Sequence, residues 1–207
     1  MRNPKLKLAV RLSTILLLAS ALSSAGRAAD LPVHDGVGGD FVLQSSLGRE
    51  VRLSEFRGRV VLLFFGYTSC PDICPANLAH LKTVTRKLGP AAKQTQVLLV
   101  TVDPETDTAE RLKEYTARFD DRFVGLTGTR EEIDRVAKLF MVKHEKSHGV
   151  EVTMQHNRSK AFTDKGFLYA HSQQIYLLDK QGRTRALYFA GSPAAEIKAA
   201  VLALLEE

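Results

Sequence analysis

The chain has 207 residues, which is enough for one domain of ordinary size with a hydrophobic core that needs no added cross-links. Apolar residues make up 44% and charged residues 25% of the sequence, values typical of a soluble globular protein, with no low-complexity tract and no repeat. The formal net charge of +6 originates in residues 1–29, which carry five Lys and Arg residues and no acidic residue, so that +1 remains from Asp30 onward. A domain this close to neutrality lacks the basic surface of a nucleic-acid-binding protein, and we expect no nucleic-acid partner.

The first 29 residues have the pattern of a targeting segment. Four basic residues, the last of them Arg11, precede a mostly apolar run from Leu12 to Leu22, and small residues follow up to Ala25. The run is shorter than the roughly 20 apolar residues of a membrane-spanning helix, which favours a signal peptide over a membrane anchor that would use residues 9–25. We therefore expect an exported, periplasmic protein, either soluble or anchored to the inner membrane.

Behind this segment, residues 30–40 form a predicted linker and residues 41–207 a predicted domain. Strands are predicted where short runs are apolar or alternate in polarity, and helices where apolar residues recur three and four positions apart. In chain order the predicted elements are a β-hairpin at 41–53, a strand at 60–65, a helix that ends before Gly89, a strand at 96–102, a helix from 107 to about 119, a strand at 123–126, a helix from 129 with Met141 in its apolar stripe, a β-hairpin at 174–190 and a helix from 192 to the C-terminus.

The order of these elements predicts an α/β fold whose central mixed sheet is flanked by helices. Capping boxes are predicted at Asp107–Glu110 and at Thr129–Glu132, each opening a helix. The helical and strand patterns fade over 142–166, apart from a short alternating piece at 150–152, and we interpret this stretch as an insertion that holds at most a hairpin.

The only two cysteines, Cys70 and Cys74, follow the apolar strand at 60–65. If a helix begins there, residues four apart lie on one face, and the two sulfur atoms can bind one metal ion or form a disulfide. A structural disulfide is disfavoured because so short a loop removes little entropy from the unfolded chain. A helix N-terminus would lower the pKa of the thiols, which serves metal binding and disulfide exchange equally. Because sites gather at the carboxyl ends of parallel strands, Asp103 is expected on the same edge of the sheet.

The histidines are weighed one by one. His171 lies just before a predicted strand, a position that is more often a surface or hydrogen-bonded residue than a metal ligand. His80 is expected to be solvated on its helix, away from Cys74. Three further histidines fall in the insertion and are expected at the surface, namely His144, His148 and His156. Asp103 and Asp107 are interpreted as turn and cap residues, although Asp103 could orient a ligand.

Four segments together carry a resemblance to a known family. They are Phe-Phe-Gly-Tyr-Thr-Ser-Cys-Pro-Asp-Ile-Cys-Pro at 64–75, Val-Asp-Pro-Glu-Thr-Asp-Thr at 102–108, Gly-Leu-Thr-Gly-Thr at 125–129 and Ala-His-Ser at 170–172. In this order they resemble the Sco/SenC family, whose members have a thioredoxin-like fold and serve in copper delivery during cytochrome c oxidase assembly. The resemblance runs from Leu31 to the C-terminus, apart from the insertion after Val142.

The resemblance implies a copper site formed by Cys70, Cys74 and His171. The chain would then carry Cu(I) or Cu(II) and deliver it to the copper-bearing subunit of cytochrome c oxidase or to another copper protein. Soft thiolates suit Cu(I) and imidazole suits copper in general, in agreement with this ligand set. Two departures from the family are Ala170, where an Asp is common, and the insertion with three histidines of its own.

The competing hypothesis is an exported thiol-disulfide oxidoreductase that reduces cysteines of a partner protein. Redox enzymes of this fold use Cys-x-x-Cys, often after a Trp, with a proline before the strand opposite the site. This chain has three residues between its cysteines, Ser69 before the first and His171 near the place of that proline, and it contains no Trp. The lack of Trp also counts against a peroxidase of the glutathione-peroxidase type. We expect a copper chaperone and not an enzyme, with thiol-disulfide reductase activity as the alternative.

Overall fold

The computed structural model describes residues 31–148, 167–171, 174–189 and 191–207. The predicted targeting segment and residues 149–166 of the predicted insertion, including His156 and the alternating piece at 150–152, lie outside these ranges. Within the described part of the chain, no helix is long and apolar enough to cross a membrane.

Nine strands and four α-helices make up the described residues. The strands are β1 (Val42–Ser45), β2 (Glu50–Arg52), β3 (Val60–Gly66), β4 (Thr95–Thr101), β5 (Val124–Thr127), β6 (His144–His148), β7 (Phe167–His171), β8 (Ile175–Leu178) and β9 (Thr184–Tyr188). The helices are α1 (Ile73–Leu88), α2 (Ala109–Ala117), α3 (Arg130–Leu139) and α4 (Ala194–Glu206), and two short 3-10 helices cover Leu53–Phe56 and Gly89–Gln94.

Seven of the strands form one mixed sheet in the order β2-β1-β5-β4-β3-β8-β9. β3, β4 and β5 are parallel to one another, whereas β1 pairs antiparallel with β2 and β5, and β8 pairs antiparallel with β3 and β9. The prediction of a mixed α/β sheet with a hairpin at each end is confirmed. β6 and β7 form a separate antiparallel pair.

The core lies on both faces of the two central strands. All seven residues of β3 and all seven of β4 are buried, which is what a continuous apolar strand predicts. Since parallel crossovers are right-handed and β3, β4 and β5 follow one another in one direction, α1 and α2 cover the same face. α4 packs against α1 on that face.

An aromatic cluster attaches the end of α3 to the sheet. The rings of Phe65, Phe140 and Tyr176 lie with their centroids 5.2–6.0 Å apart. The Tyr176 hydroxyl donates a hydrogen bond of 2.8 Å to the Phe140 carbonyl, so the C-terminal end of α3 is fixed against β8.

Two predictions near helix ends are wrong. Met141 does not belong to the core: α3 ends at the buried Phe140, the backbone at Met141 turns to a φ of 54°, and its side chain is 64% exposed. Asp107 does not cap α2. Thr108 is the N-cap and its hydroxyl accepts the backbone N–H of Arg111, whereas the capping box at Thr129 is present as predicted.

The predicted linker contains no helix or strand over the residues described, 31–40. Its backbone is nevertheless attached to the domain, because the N–H of His34 donates to the Thr184 carbonyl over 2.9 Å and that of Gly38 to the Leu139 carbonyl over 2.7 Å. Arg185 adds a third attachment through a bond of 2.8 Å from its Nε to the Leu31 carbonyl.

Candidate metal centre

The two cysteines lie where the central strand β3 ends and α1 begins. Cys70 is in the connecting loop, and its backbone N–H donates to the Tyr67 carbonyl over 3.3 Å. Cys74 is in the first turn of α1, which begins at Ile73. Cys70 therefore precedes the helix, but the loop still brings its thiol into hydrogen-bonding contact with the Cys74 thiol.

Cys74 is fully buried and Cys70 is half-buried. Gly66 makes room for the inner thiol: a Cβ atom at this position would lie 2.9 Å from Cys74 Sγ and 2.8 Å from the ring of Phe64. No side chain larger than hydrogen fits there without displacing one of these groups.

The pKa of the Cys74 thiol is raised. The largest cause is its hydrogen bond with the Cys70 thiol, followed by burial and by the charge that Cys70 carries when ionised. The prediction that the helix N-terminus lowers the thiol pKa is therefore wrong for Cys74. Because two thiolates this close repel each other, the pair loses both protons readily only when a cation lies between the sulfurs.

Asp107 organises the loop that precedes Cys70. Its buried carboxylate accepts the Thr68 backbone N–H over 2.9 Å, the Thr68 hydroxyl over 2.5 Å and the Thr101 hydroxyl over 2.7 Å. Burial raises the pKa of this carboxyl more than the hydrogen bonds from Thr68 and Thr101 lower it. Asp107 thus connects the cysteine loop to the end of β4.

Arg111 covers the same loop from α2. Its Nε donates to the Thr68 hydroxyl over 2.6 Å and lies 3.7 Å from Asp107, and its Nη2 donates to the Ser69 hydroxyl over 3.1 Å. The sequence analysis missed this contact. A signal was present, since Arg111 is four residues after Asp107 on a predicted helix, but the partner Thr68 lies 43 residues away.

Asp103 lies at the predicted edge of the sheet, which we call the carboxyl rim and define as the end of β3 at Gly66 and of β4 at Thr101. The backbone N–H of Val102 donates to the Gly66 carbonyl over 2.8 Å, so the two strand ends adjoin. The Asp103 carbonyl accepts the N–H groups of Thr106 and Asp107, which closes the turn expected there.

His171 ends β7, four residues before β8. Because β8 begins at Ile175 opposite Phe64, the chain that leads back to His171 starts next to the end of β3. Four residues span at most about 14 Å, and the cysteine loop leaves β3 at the same edge. The topology thus brings Cys70, Cys74 and the backbone of His171 to the carboxyl rim.

The remaining predicted histidines have different surroundings. In β6, His144 pairs with His171 in the backbone register, and its Nε2 lies 3.3 Å from Asp134 Oδ1 on α3. His148 is the last residue of β6 and pairs with Phe167. The expectation of a surface position is wrong for His144, whose side chain is only 13% exposed.

Three polar groups beside the cysteines on α1 and α2 are buried. Asn77 is fully buried with neither amide atom hydrogen-bonded to any described residue, and the Tyr115 hydroxyl is likewise unbonded there. Burial, and secondarily the charges of Cys74 and Cys70, raise the pKa of Tyr115. His80 was expected to be solvated, but its Nε2 is buried without a hydrogen-bond partner among the described residues.

Comparisons with known proteins identify the family. The sequence profile of the SCO1/SenC family matches residues 29–206. The chain belongs to the SCO1/SenC family. A SCO2-like protein of Rickettsia conorii is 32% identical over 158 residues, which cover 76% of this chain and 72% of that protein.

Solved structures of the family share the fold. The copper-bound ScoI of Arabidopsis thaliana is 28% identical with a TM-score of 0.71, covering 83% of this chain and 99% of that one. The copper-bound ScoI of Bradyrhizobium japonicum is 30% identical with a TM-score of 0.70, covering 81% and 99%. The thioredoxin-like fold implied by the sequence motifs is confirmed.

The donor set at the carboxyl rim of this SCO1/SenC protein suits copper. The two adjacent thiols of Cys70 and Cys74 are soft ligands of the kind that Cu(I) prefers, and one sulfur is half-buried and accessible from the loop. An imidazole would make the set acceptable to Cu(II) as well. Among the described side chains no group of three His, Cys, Asp or Glu residues is close enough to hold a metal, so the third ligand must come from His171 or another residue whose side chain lies outside that set.

Proposed function

We propose that this protein binds copper through Cys70, Cys74 and His171 and delivers it to a copper protein, in the first place the copper-bearing subunit of cytochrome c oxidase. The observation that carries the proposal is the contact of the two cysteine thiols at the carboxyl rim, where the backbone path to His171 also begins. Copper in the two related ScoI structures supports the choice of metal.

The ligand set is suited to transfer and not to storage. A closed site of four protein ligands retains its ion, whereas a three-ligand site leaves room for a ligand from another protein. Such a ligand can bind before the first set dissociates, so the ion moves by exchange without being released to water. Cys70, the more exposed of the two cysteines, is the ligand at which this exchange would start.

The thiol pair favours metal binding when the ion arrives. The raised pKa of Cys74 keeps its thiol protonated in the metal-free protein, and a cation between the sulfurs replaces that proton. Asp107 and Arg111 hold the loop in place through Thr68, so copper finds the two sulfurs already adjacent.

A second candidate function is the reduction of a partner's disulfide, and the same thiol contact supports it. In that reaction the Cys70 thiolate would attack the partner's disulfide, Cys74 would displace the mixed disulfide, and two electrons and two protons would pass to the partner. The chain would leave with a Cys70–Cys74 disulfide. The raised pKa of Cys74 weighs against the second step, since a protonated thiol is a poor nucleophile.

We further propose that the protein acts in the periplasm after export. Support comes from the basic, apolar and small residues in order over 1–29, ahead of the family match that begins at residue 29. The segment would be removed as a signal peptide or kept as an anchor to the inner membrane.

One pair of variants tests both functions. We expect His171→Ala to lose tight Cu(II) binding and to keep its two reactive thiols, while Cys70→Ser loses both copper binding and disulfide reduction. Titration with Cu(II), followed by the thiolate-to-copper absorption band, and an assay with a model disulfide substrate give the two readouts. Unchanged copper stoichiometry and spectrum in His171→Ala would remove His171 from the site, and reduction of the disulfide without copper binding in the parent protein would favour the oxidoreductase.

A further inference from the structure

His144 lies directly across the β6–β7 ladder from the proposed ligand His171. It is the first residue of β6 and pairs with the last residue of β7 in antiparallel register. Directly opposed residues of such a ladder have Cβ atoms about 4.5–5.5 Å apart and belong to one face of it. The backbone therefore places two histidines side by side at the end of the ladder that leads into β8.

A carboxylate from another element contacts the imidazole of His144. Its Nε2 lies 3.3 Å from Oδ1 of Asp134, one turn into α3, and the histidine side chain is 13% exposed. A carboxylate on one ring nitrogen fixes the orientation of an imidazole and makes its other nitrogen a better metal ligand. Arg130, at 4.0 Å from Asp134 and 3.7 Å from Glu105, in turn connects this carboxylate to the loop after β4 at the carboxyl rim.

We infer that His144 supplies a second imidazole to the Cu(II) ion bound through His171, with Asp134 as the residue that positions it. This inference rests on the proposed function. Cu(II) favours four ligands in a tetragonal arrangement and accepts imidazole readily, so a fourth donor beside two cysteines and one histidine completes the set that this oxidation state prefers. Ala170 provides no carboxylate next to His171, and the Asp134–His144 pair supplies one carboxylate-supported imidazole in its neighbourhood.

The ladder itself offers a matched control. His148 is in the same strand, four residues from His144, but pairs with Phe167 at the far end of the ladder. Four residues of strand correspond to about 13 Å, which is too far for both histidines to bind one ion. Removing either imidazole costs the same charge and volume, so a difference between the two variants reports position.

The experiment is pulsed electron paramagnetic resonance on the full chain loaded with one equivalent of Cu(II). We expect couplings to two imidazole nitrogens in the parent and in His148→Ala, and to one in His144→Ala and His144→Gln. Asp134→Asn is expected to weaken Cu(II) binding by roughly tenfold, within the range seen when such supporting groups are removed. Circular dichroism checks that each variant is folded.

The inference fails if the parent shows a single imidazole, if two remain in both His144 variants, or if saturation requires two copper ions per chain. Failure of the proposed function looks different. There the thiolate-to-copper band would be missing from the parent protein, whereas failure of the inference alone would leave that band and the coupling to His171 in place.

Discussion

The carboxylate of Asp107 holds Thr68, two residues before Cys70, through hydrogen bonds of 2.9 Å to its backbone N–H and 2.5 Å to its hydroxyl. Thr101 donates to the same carboxylate at the end of β4. The loop that carries the outer cysteine is thus held by an acceptor on a different segment of the chain. Its position depends on Asp107 more than on any residue within the loop.

We expect Asp107→Ala to destabilise the protein and to weaken copper binding. Each buried donor that loses its acceptor costs roughly 1–3 kcal/mol, and three donors are affected, on Thr68 and Thr101. Asp107→Asn should cost less, since the amide oxygen still accepts and the raised pKa shows that burial disfavours the charge. Urea unfolding and Cu(II) titration measure the two effects.

Asp179→Ala provides the control for this prediction. Asp179 is also a buried aspartate with several hydrogen bonds, but it follows β8 at the opposite end of the sheet from the carboxyl rim. We expect this variant to lose stability while its copper affinity stays at the parent level. An equal loss of copper affinity in both variants would show that Asp107 acts through general stability alone.

Much of this frame could be predicted from sequence because it is encoded locally. The apolar runs of β3 and β4 and the capping box at Thr129 each depend on a few neighbouring residues, and all three are present. The cysteine pair at the end of β3 follows from the same local pattern.

The parts that sequence reasoning missed depend on distant contacts. Asp107 fits a capping box by spacing, but its carboxylate finds better donors on Thr68, 39 residues earlier, and Thr108 takes the cap. Met141 continues the apolar stripe of α3, yet the helix stops at Phe140. The β6–β7 ladder joins segments separated by the insertion, so no short-range pattern indicates the pairing of His144 with His171.

Gly66→Ala tests whether the site depends on the space beside Cys74. The added methyl group would lie 2.9 Å from Cys74 Sγ and 2.8 Å from the Phe64 ring, so the sulfur, the ring or the strand must move. We expect a loss of about 1–3 kcal/mol in the free energy of unfolding together with weaker copper binding. Gly191→Ala is the matched change, because a Cβ there meets no atom within 4 Å. Parent-like copper affinity in Gly66→Ala would mean that Cys74 can shift without harm.

Tyr176→Phe tests the attachment of α3 to β8. The Tyr176 hydroxyl donates to the Phe140 carbonyl over 2.8 Å, and burial raises the pKa of this phenol to about 12, so it stays a donor at neutral pH. Its loss leaves a buried carbonyl without that donor and should cost about 1–3 kcal/mol. Hydrogen exchange should increase for the backbone amides at the end of α3 and the start of β8. Tyr188→Phe, a second buried tyrosine of the same sheet, serves as the comparison, and equal exchange in the two variants would contradict the prediction.

Acid unfolding should depend on Asp179. Burial opposes ionisation of this carboxyl, but the hydrogen bonds from the Arg183 backbone and from the side chains of Arg183 and Arg185 outweigh it and lower the pKa below the ordinary 3.8. A group whose pKa is lower in the folded than in the unfolded protein stabilises the fold above its unfolded pKa, and this contribution disappears as the pH falls below that value.

We therefore expect the free energy of unfolding of the parent to drop more steeply below about pH 3.8 than that of Asp179→Asn, which has no proton to take up there. At neutral pH the variant should be the less stable of the two, since the Arg185 guanidinium, 4% exposed and 3.1 Å from Asp179, loses a charged partner. Urea unfolding at a series of pH values gives both results, with the exposed Asp121→Asn as the reference. Parallel pH curves for the parent and Asp179→Asn would show that the low pKa of Asp179 does not contribute to acid unfolding.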